Sequence, residues 1–196
     1  MTFDERRARL VLVAALMIVG LGLWTFVLWG SDGPADPEPG PGVDQSSSAT
    51  AAPGDPDRAL LEGFDEIAIT VDPGAGGDPR SWCLLLALTA QQRSRGLMEV
   101  TDLQGYSGMV FVYEQDVDNG FYMRNTPTPL SIAWIAADGD VVTLKDMEPC
   151  DDRDGCPSYR SEGTYRYAIE VFQGDLDELG ITEAATVIVG GACAQA

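Results

Sequence analysis

Apolar and polar residues alternate with the two-residue period of β-strands through most of the chain after residue 63. Eight segments carry this pattern and are predicted as strands, at residues 64–71, 82–89, 108–113, 120–125, 130–137, 141–147, 165–172 and 185–190. Asp138-Gly139, between the fifth and sixth segments, is a strong signal for a two-residue hairpin turn. The pattern therefore predicts a β-rich domain over residues 64–196.

Two short segments interrupt the strand period and begin with helix-capping signals. Thr89 and Gln92 form a capping box at the start of one helix, and Asp175 with Glu178 gives the same signal for a second helix that ends at Gly180. We predict a β-rich α+β fold, a small barrel-like or strongly curved antiparallel sheet with two short helices, preceded by one transmembrane helix.

The N-terminal region has a different pattern, because residues 10–29 form an uncharged apolar run. A helix of that length is about 30 Å long, which is sufficient to cross the hydrocarbon core of a bilayer. Arg6, Arg7 and Arg9 precede the run, so the positive-inside rule predicts a cytoplasmic tail over residues 1–9 and a transmembrane signal anchor over residues 10–30. A cleaved signal peptide and a buried soluble helix are the alternatives.

Residues 31–63 are predicted as a disordered linker between the anchor and the domain. Their first 27 residues, 31–57, contain six prolines, four glycines and no aromatic residue, a composition that buries too little apolar surface to fold. The predicted location is the cell membrane, crossed once through residues 10–30, with the N-terminus cytoplasmic and the domain of residues 64–196 extracytoplasmic.

Charge and composition narrow the classes of function. The chain has 12 Lys and Arg, 31 Asp and Glu, and no histidine, for a net charge of −19. This acidic balance argues against nucleic acid as a partner, since phosphate binding requires a basic surface. The missing histidine removes Ser-His-Asp and Cys-His nucleophile pairs as well as histidine metal sites. We therefore favour a protein that is not an enzyme, and we assign it no cofactor and no metal.

Four cysteines in an extracytoplasmic domain predict two disulfide bonds. Cys150 and Cys156 bracket a short acidic loop, so a local bond is the simplest pairing for them. Cys83 and Cys193 would then join the two ends of the domain. The alternative interpretation of Cys150 and Cys156 is a redox pair or a metal site.

A series of short motifs resembles a known family. The series comprises RGLM at 95–98, GMVFVY at 108–113, FYMRNT at 121–126, DG at 138–139 and AIEV at 168–171. In this order and spacing it is similar to the family called domain of unknown function number 192, over about residues 65–190. The resemblance implies a small β-rich domain, often exported or membrane-attached, with no established reaction. The family usually carries an aspartate where this chain has Ser131.

Five polar residues in or beside these motifs are the candidate ligand-binding residues: Arg95, Arg124, Asn125, Thr126 and Glu170. Arginine is scarce in the domain, where residues 64–196 carry 22 acidic and 8 basic side chains. A guanidinium group pairs bidentately with planar oxygens, so these side chains could together hold a carboxylate or a sugar at one rim of the sheet. The alternative is a structural arginine–glutamate pair that ties strands together.

Two other groups of residues could bind a metal. Methionines 98, 109, 123 and 147 could ligate cuprous copper, although methionine in such positions usually fills core space. The acidic turns at 114–120 and 151–155 offer oxygen ligands for calcium, although neither has the EF-hand spacing. Solvated charged turns are the alternative interpretation of both.

The sequence thus predicts a membrane-anchored extracytoplasmic domain, most simply a non-enzymatic module that binds a small ligand or an envelope protein. The alternatives are a carbohydrate-active enzyme of the cell envelope that uses a carboxylate pair, and a metal-handling domain. A catalytic pair predicts a carboxyl group with a raised pKa in a cleft. A binding rim predicts Arg95 and Arg124 together at one pocket.

Overall fold

A computed structural model describes residues 58–193 of the chain. Within that range the strands are β1 (Asp65–Asp72), β2 (Arg80–Ala87), β3 (Met109–Val117), β4 (Phe121–Tyr122), β5 (Leu130–Ile135), β6 (Val141–Met147), β7 (Ser158–Tyr159), β8 (Tyr165–Phe172) and β9 (Thr186–Val189). The helices are α1 (Ala90–Arg95) and α2 (Asp175–Leu179). Each predicted strand overlaps an observed one, and the two-residue strand β7 was not predicted.

The predicted transmembrane anchor, residues 10–30, and the linker up to residue 57 lie outside the described residues. Over residues 58–193, no helix is both long enough and apolar enough to span a membrane. Residues 58–63, predicted as the end of the linker, contact the domain, since the Ala59 N–H donates to the Gln104 carbonyl at 3.1 Å.

Seven strands form one open sheet in the order β6-β5-β8-β3-β2-β1-β9, and β4 pairs with β7 in a separate two-stranded sheet. The large sheet is mixed, because β2 and β3 run parallel whereas its other neighbours are antiparallel. The prediction of a β-rich α+β fold with two short helices is confirmed. The prediction of a barrel-like antiparallel sheet is wrong, since β6 and β9 remain separate edges that approach through a single bridge between Asp140 and Thr186.

The parallel pair follows from the helix between β2 and β3. Parallel neighbours require a crossover connection, and α1 with the loop after it supplies this connection. The predicted capping box is confirmed: Thr89 Oγ1 accepts from the Gln92 N–H at 3.2 Å, and Gln92 Oε1 accepts from the Thr89 N–H at 2.8 Å. The cap fixes where the chain leaves β2 and turns back across one face of the sheet.

Both faces of the large sheet are covered by apolar side chains. The face beneath α1 and the β4–β7 pair, called the inner face here, carries a cluster that includes Leu85, Met109, Phe111, Ile132 and Trp134. The opposite face carries a second cluster with α2, which includes Ile69, Val110, Ile169, Leu176 and Leu179. Successive side chains of a strand point to opposite faces, so from Tyr167 to Phe172 neighbouring residues of β8 belong to different faces.

The second helix begins differently from the prediction. Asp175 was predicted as its cap, but Asp175 is the first helical residue, and the cap position is Gly174 with no side-chain hydrogen bond. The reason is that Gly174 turns the chain out of β8 with a left-handed φ of 97°, which glycine adopts without steric cost. The predicted end at Gly180 is confirmed, and its N–H donates to the Leu176 and Asp177 carbonyls.

Two disulfide bonds join Cys83 to Cys193 and Cys150 to Cys156, as predicted. The first ties β2 to the segment after β9, and the second closes the acidic loop between β6 and β7. No cysteine of the described part of the chain is free. The two bonds therefore constrain the outer edge of the sheet and one connecting loop.

We expect Gly108→Ala to lower the free energy of unfolding by about 3 kcal/mol, because an added methyl group overpacks a tight backbone contact. Gly108 precedes β3, and a Cβ there would collide with the Glu170 carbonyl oxygen and lie 2.9 Å from Val171 Cγ1. Urea denaturation measures the loss. Gly76→Ala is the control, since its Cβ meets no heavy atom within 4 Å and only its φ of +82° costs about 1 kcal/mol. Equal losses in the two variants would contradict the close approach of β3 and β8.

Candidate ligand-binding site

A cavity of about 600 Å³ lies between α1, the β4 segment and the inner face of the sheet. This volume falls within the range of about 300–1,000 Å³ that small-molecule sites occupy. Its walls include the aromatic and thioether side chains of Phe111, Tyr113, Phe121, Met98 and Met123. Its polar side chains, besides tyrosines, are Arg93, Ser94, Arg95, Asn119, Thr126 and Glu170.

The RGLM motif builds the upper wall of the cavity. Gly96 ends α1 with a φ of +47°, and a Cβ there would lie 3.3 Å from the Phe111 ring. A glycine therefore lets the end of the helix approach the inner face closely. Leu97 then enters the core, and Met98 lines the cavity. The motif is explained by the close contact between a crossover helix and the sheet.

Glu170 lies on the inner face, in the lining of the cavity. Its neighbours across the sheet are Met109 of β3 and Ile132 of β5, which are both apolar. Its relative exposure is 5 %, and no other described residue forms a hydrogen bond with its carboxyl group. Burial raises the pKa of Glu170 to about 8, so the carboxyl group is mostly protonated at neutral pH. A buried polar group without a protein partner is available to a ligand.

Arg93 is the charged residue of the cavity lining that the sequence did not predict. Its guanidinium lies 4.8 Å from the centroid of the Tyr113 ring, and Nη1 donates to the Val112 carbonyl at 3.0 Å and to the Leu88 carbonyl. Its Nε and Nη2 groups have no acceptor among residues 58–193. The carbonyl contacts thus hold the cation in place, and the remaining N–H groups can bind an anion.

Tyr113 of β3 lines the same cavity as Glu170. Burial raises the pKa of Tyr113, the neighbouring Tyr165 and Arg93 lower it, and Glu170 raises it. Tyr113 is consequently uncharged at neutral pH, as is most of Glu170. Among the described residues, the full charges in the cavity lining then belong to Arg93 and Arg95, so the cavity is positive within an acidic domain.

The five predicted residues do not all meet at one site. Arg95, Thr126 and Glu170 line the cavity, whereas Arg124 and Asn125 are not part of its lining. The Arg95 guanidinium lies 5.0 Å from the Phe64 ring centroid, and its Nη1 donates to the Glu62 carbonyl at 2.5 Å. The predicted meeting of Arg95 and Arg124 at one pocket is therefore not found.

Arg124 is engaged by the acidic disulfide loop. Its Nε lies 2.7 Å from Asp152 Oδ1 and its Nη1 lies 3.6 Å from Asp154 Oδ1, and these aspartates raise the pKa of the guanidinium. The backbone of Cys150 forms bridges to both Arg124 and Thr126. Arg124 thus pairs with two aspartates and not with a glutamate. These ion pairs attach the segment that carries Met123 and Thr126 to the acidic disulfide loop.

Asn125 connects two loops through a reciprocal pair of hydrogen bonds. Glu99 and Asn125 both have left-handed backbones, with φ of 62° and 56°. The Glu99 N–H donates to the Asn125 carbonyl at 2.8 Å, and Asn125 Nδ2 donates to Glu99 Oε1 at 2.9 Å. These two hydrogen bonds fix the segments that carry Met98 and Thr126 in the cavity wall.

The groups considered for metals have other roles in this structure. Met98 and Met123 line the cavity, but Met109 and Met147 are fully buried in the core. Asp116 of the first acidic turn pairs with Arg166 at 2.8 Å. Glu66, Cys83 and Cys193 place ligand-type atoms within 4.8 Å of one another, but the two sulfurs form a disulfide and have no free thiolate.

Ser131, where the family usually carries an aspartate, lies away from the cavity. It pairs with Val171 across the sheet and so faces the side opposite to Glu170. Its hydroxyl donates to Asp146 Oδ1 at 2.6 Å and accepts from the Gly174 N–H at 3.1 Å. The serine joins β6 to the turn before α2, and the change does not alter the cavity lining.

Comparison with known proteins agrees with this fold. Residues 74–189 match the family described as "DUF192: Uncharacterized ACR", and the chain belongs to this family. A solved protein of unknown function from Novosphingobium aromaticivorans DSM 12444 is similar, with a TM-score of 0.59 and 26 % identity over 75 % of this chain and 99 % of that one. No curated protein gives a significant match.

A second solved structure, a proposed transcription regulator from Sinorhizobium meliloti 1021, has a TM-score of 0.54 and 22 % identity. The similarity covers 64 % of this chain and 95 % of that one. At this identity the similarity shows a shared fold. The family resemblance of the motifs is confirmed, and the comparisons attach no reaction to it.

We expect Asn125→Ala to lower the free energy of unfolding by about 2 kcal/mol. About 1 kcal/mol comes from the left-handed backbone and about 1 kcal/mol from the lost hydrogen bond to Glu99. Asn125→Gly should recover the backbone part of the loss, and Glu99→Gln, which keeps an acceptor oxygen, should change little. Chemical denaturation measures all three variants. A glycine variant as unstable as the alanine variant would contradict the backbone contribution.

We expect the stability of the protein to depend on pH through Glu170. Because its pKa rises from 4.5 in the unfolded chain to about 8 in the fold, the folded state holds the extra proton between these values. The stabilisation of the fold that comes from this bound proton is therefore complete below pH 4.5 and is lost as the pH rises to 8. Relative to Glu170→Gln, the wild type should lose on the order of 4 kcal/mol over this window. Denaturation of both proteins at several pH values measures the difference, and parallel curves would contradict the buried proton.

Proposed function

We propose that the domain of residues 64–196 is a binding module for a small organic molecule, held at the outer side of the cell membrane by an N-terminal anchor. The observation that carries the proposal is Glu170, a buried carboxyl group without a protein partner in the lining of a cavity of about 600 Å³. The anchor is inferred from the apolar run at residues 10–29 and the arginines before it.

The cavity favours a ligand with an apolar body. Aromatic rings and thioethers make up much of its wall, and polar side chains are placed among them. Such a lining buries the body of a ligand, and its polar groups determine the orientation. Glu170 at the inner face and Arg93 beside Tyr113 are the two groups that supply orientation here.

Binding is favoured over carbohydrate cleavage because glycoside hydrolysis ordinarily requires two carboxyl groups about 5–10 Å apart on either side of the bond. The raised pKa of Glu170 suits a general acid. However, among residues 58–193, Glu170 is the only carboxylate in the cavity lining. The described residues therefore place no second carboxyl group in this lining to act as the nucleophile or base of a carboxylate pair.

The test is a titration of the full chain carrying methionine labelled with ¹³C at the methyl group, followed by NMR. The probes are hexanamide, hexylamine and hexanoate, which share one apolar chain and differ in the polar group. We expect at least one probe to shift the methyl signals of Met98 and Met123, which line the cavity, in a saturable manner. Met147, which is buried outside the lining, should not respond.

Two tryptophan variants on α1 provide the matched control. Ser94 lines the cavity and Gln91 does not, although both side chains are exposed on the same helix. Ser94→Trp should fill the cavity and abolish the shifts, and Gln91→Trp should leave them unchanged. The proposal is overturned if no probe shifts Met98 and Met123, or if both variants respond like the wild type.

A further inference from the structure

We infer that the ligand of this cavity is a small zwitterion with an apolar body, whose ammonium group binds Glu170 and whose carboxylate binds Arg93. This inference rests on the proposed function and adds the chemical class of the ligand. It follows from an ionisable carboxyl group and a guanidinium group in one cavity lining, the protein contacts that each lacks, and the aromatic rings that line the same cavity.

The inner end of the cavity is suited to a cation. The Glu170 carboxyl group has no arginine, lysine or other hydrogen-bond partner among residues 58–193. An isolated carboxylate is costly to bury, and a bound ammonium group supplies both the opposite charge and the hydrogen-bond donors that it lacks. Aromatic rings also line the cavity, and the negative faces of such rings attract organic cations.

The α1 side of the cavity is suited to an anion. The Arg93 guanidinium is held at the Tyr113 ring by the Leu88 and Val112 carbonyls, and its Nε and Nη2 groups remain available. None of the ion pairs of the described residues involves Arg93, although the domain is rich in carboxylates. A ligand carboxylate can therefore pair with it through two parallel hydrogen bonds.

The two ends together select against ligands with a single charge. A simple amine would bring its charge into a cavity that already contains Arg93 and Arg95. A simple carboxylate that pairs with Arg93 would leave Glu170 without a hydrogen-bond partner. A zwitterion satisfies both ends and adds no net charge, and its apolar body would lie along Phe111, Tyr113 and Phe121.

Ammonium binding is coupled to release of a proton from Glu170. The titratable or charged groups that line the cavity around it are Tyr113 from β3, Arg93 and Arg95 from α1, and Tyr122 from β4, while β5 contributes apolar neighbours. In the empty cavity the carboxyl group is protonated, and an ammonium ion favours its ionised form. The proton passes to the solvent, and the ligand keeps its own charge.

The experiment is calorimetric titration of the full chain with ω-amino acids of four, six and eight carbons, and with hexylamine, hexanoate and hexanamide. At least one ω-amino acid should bind more than tenfold tighter than each of the three compounds with one polar group. In buffers of different ionisation enthalpy at pH 7, binding should release about 0.9 proton per ligand, as expected for a pKa of about 8. At pH 9.5 the release should be close to zero.

Glu170→Gln should weaken ω-amino acid binding at least tenfold and abolish proton release. The Met147 methyl signal reports whether the variant retains its core, and the proton count on the wild type needs no variant.

The inference is overturned if hexanamide or hexanoate binds as tightly as the best ω-amino acid, or if that binding releases no proton at pH 7. In either case the proposed binding site is tested separately. Its test is the NMR shifts of Met98 and Met123 and their loss in Ser94→Trp. If no ω-amino acid binds, the zwitterion is wrong, and the same NMR series decides whether the cavity binds anything.

Discussion

The parallel pairing of β2 with β3 is the constraint on which the rest of the domain depends. Two parallel neighbours cannot be joined by a tight turn, so the chain has to cross one face of the sheet between them. That crossover contains α1, and α1 with Gly96 forms one wall of the cavity over Phe111. Without this pairing, the inner face would have no helix above Glu170 and no enclosed space beside it.

The burial of Glu170 shows how the fold accommodates a polar group that it does not satisfy. Strand positions flanked by Met109 and Ile132 would hold an apolar side chain without cost, whereas a carboxyl group there loses its hydration. The fold reduces this cost by keeping the group protonated and adjacent to a cavity instead of dense packing. A stability cost of this kind, at a position open to a small molecule, is typical of a functional site.

The sequence was informative where local rules decide the structure. Alternation located the eight strands, and the Thr89–Gln92 pair located the start of α1, because both depend only on neighbouring residues. The same sequence contained the evidence for a parallel pair, namely a helix between two predicted strands, but an antiparallel sheet was predicted, with a hairpin turn at Asp138-Gly139. The two-residue strand β7 was too short to show a period.

The site was harder to predict because its residues meet through tertiary contacts. Glu170 was identified from its motif, but its isolation depends on which side chains fail to reach it, and no spacing rule gives that. Arg93 and Arg95 are two positions apart on one helix, but Arg93 donates to the Leu88 and Val112 carbonyls, whereas Arg95 donates to the Glu62 carbonyl.

The FYMRNT motif illustrates how family residues can support a site without touching a ligand. Arg124 is held by Asp152 of the disulfide loop, and Asn125 is held by Glu99 of the loop after α1. Between these two attachments, Thr126 is 4 % exposed and lines the cavity. The ion pair between Arg124 and Asp152 is exposed and contributes little free energy by itself. The disulfide and the hydrogen bonds between Glu99 and Asn125 fix the backbone instead. The polar residues of the motif therefore define the shape of the cavity wall. Glu170 and Arg93 are the lining residues whose polar atoms remain available to a ligand.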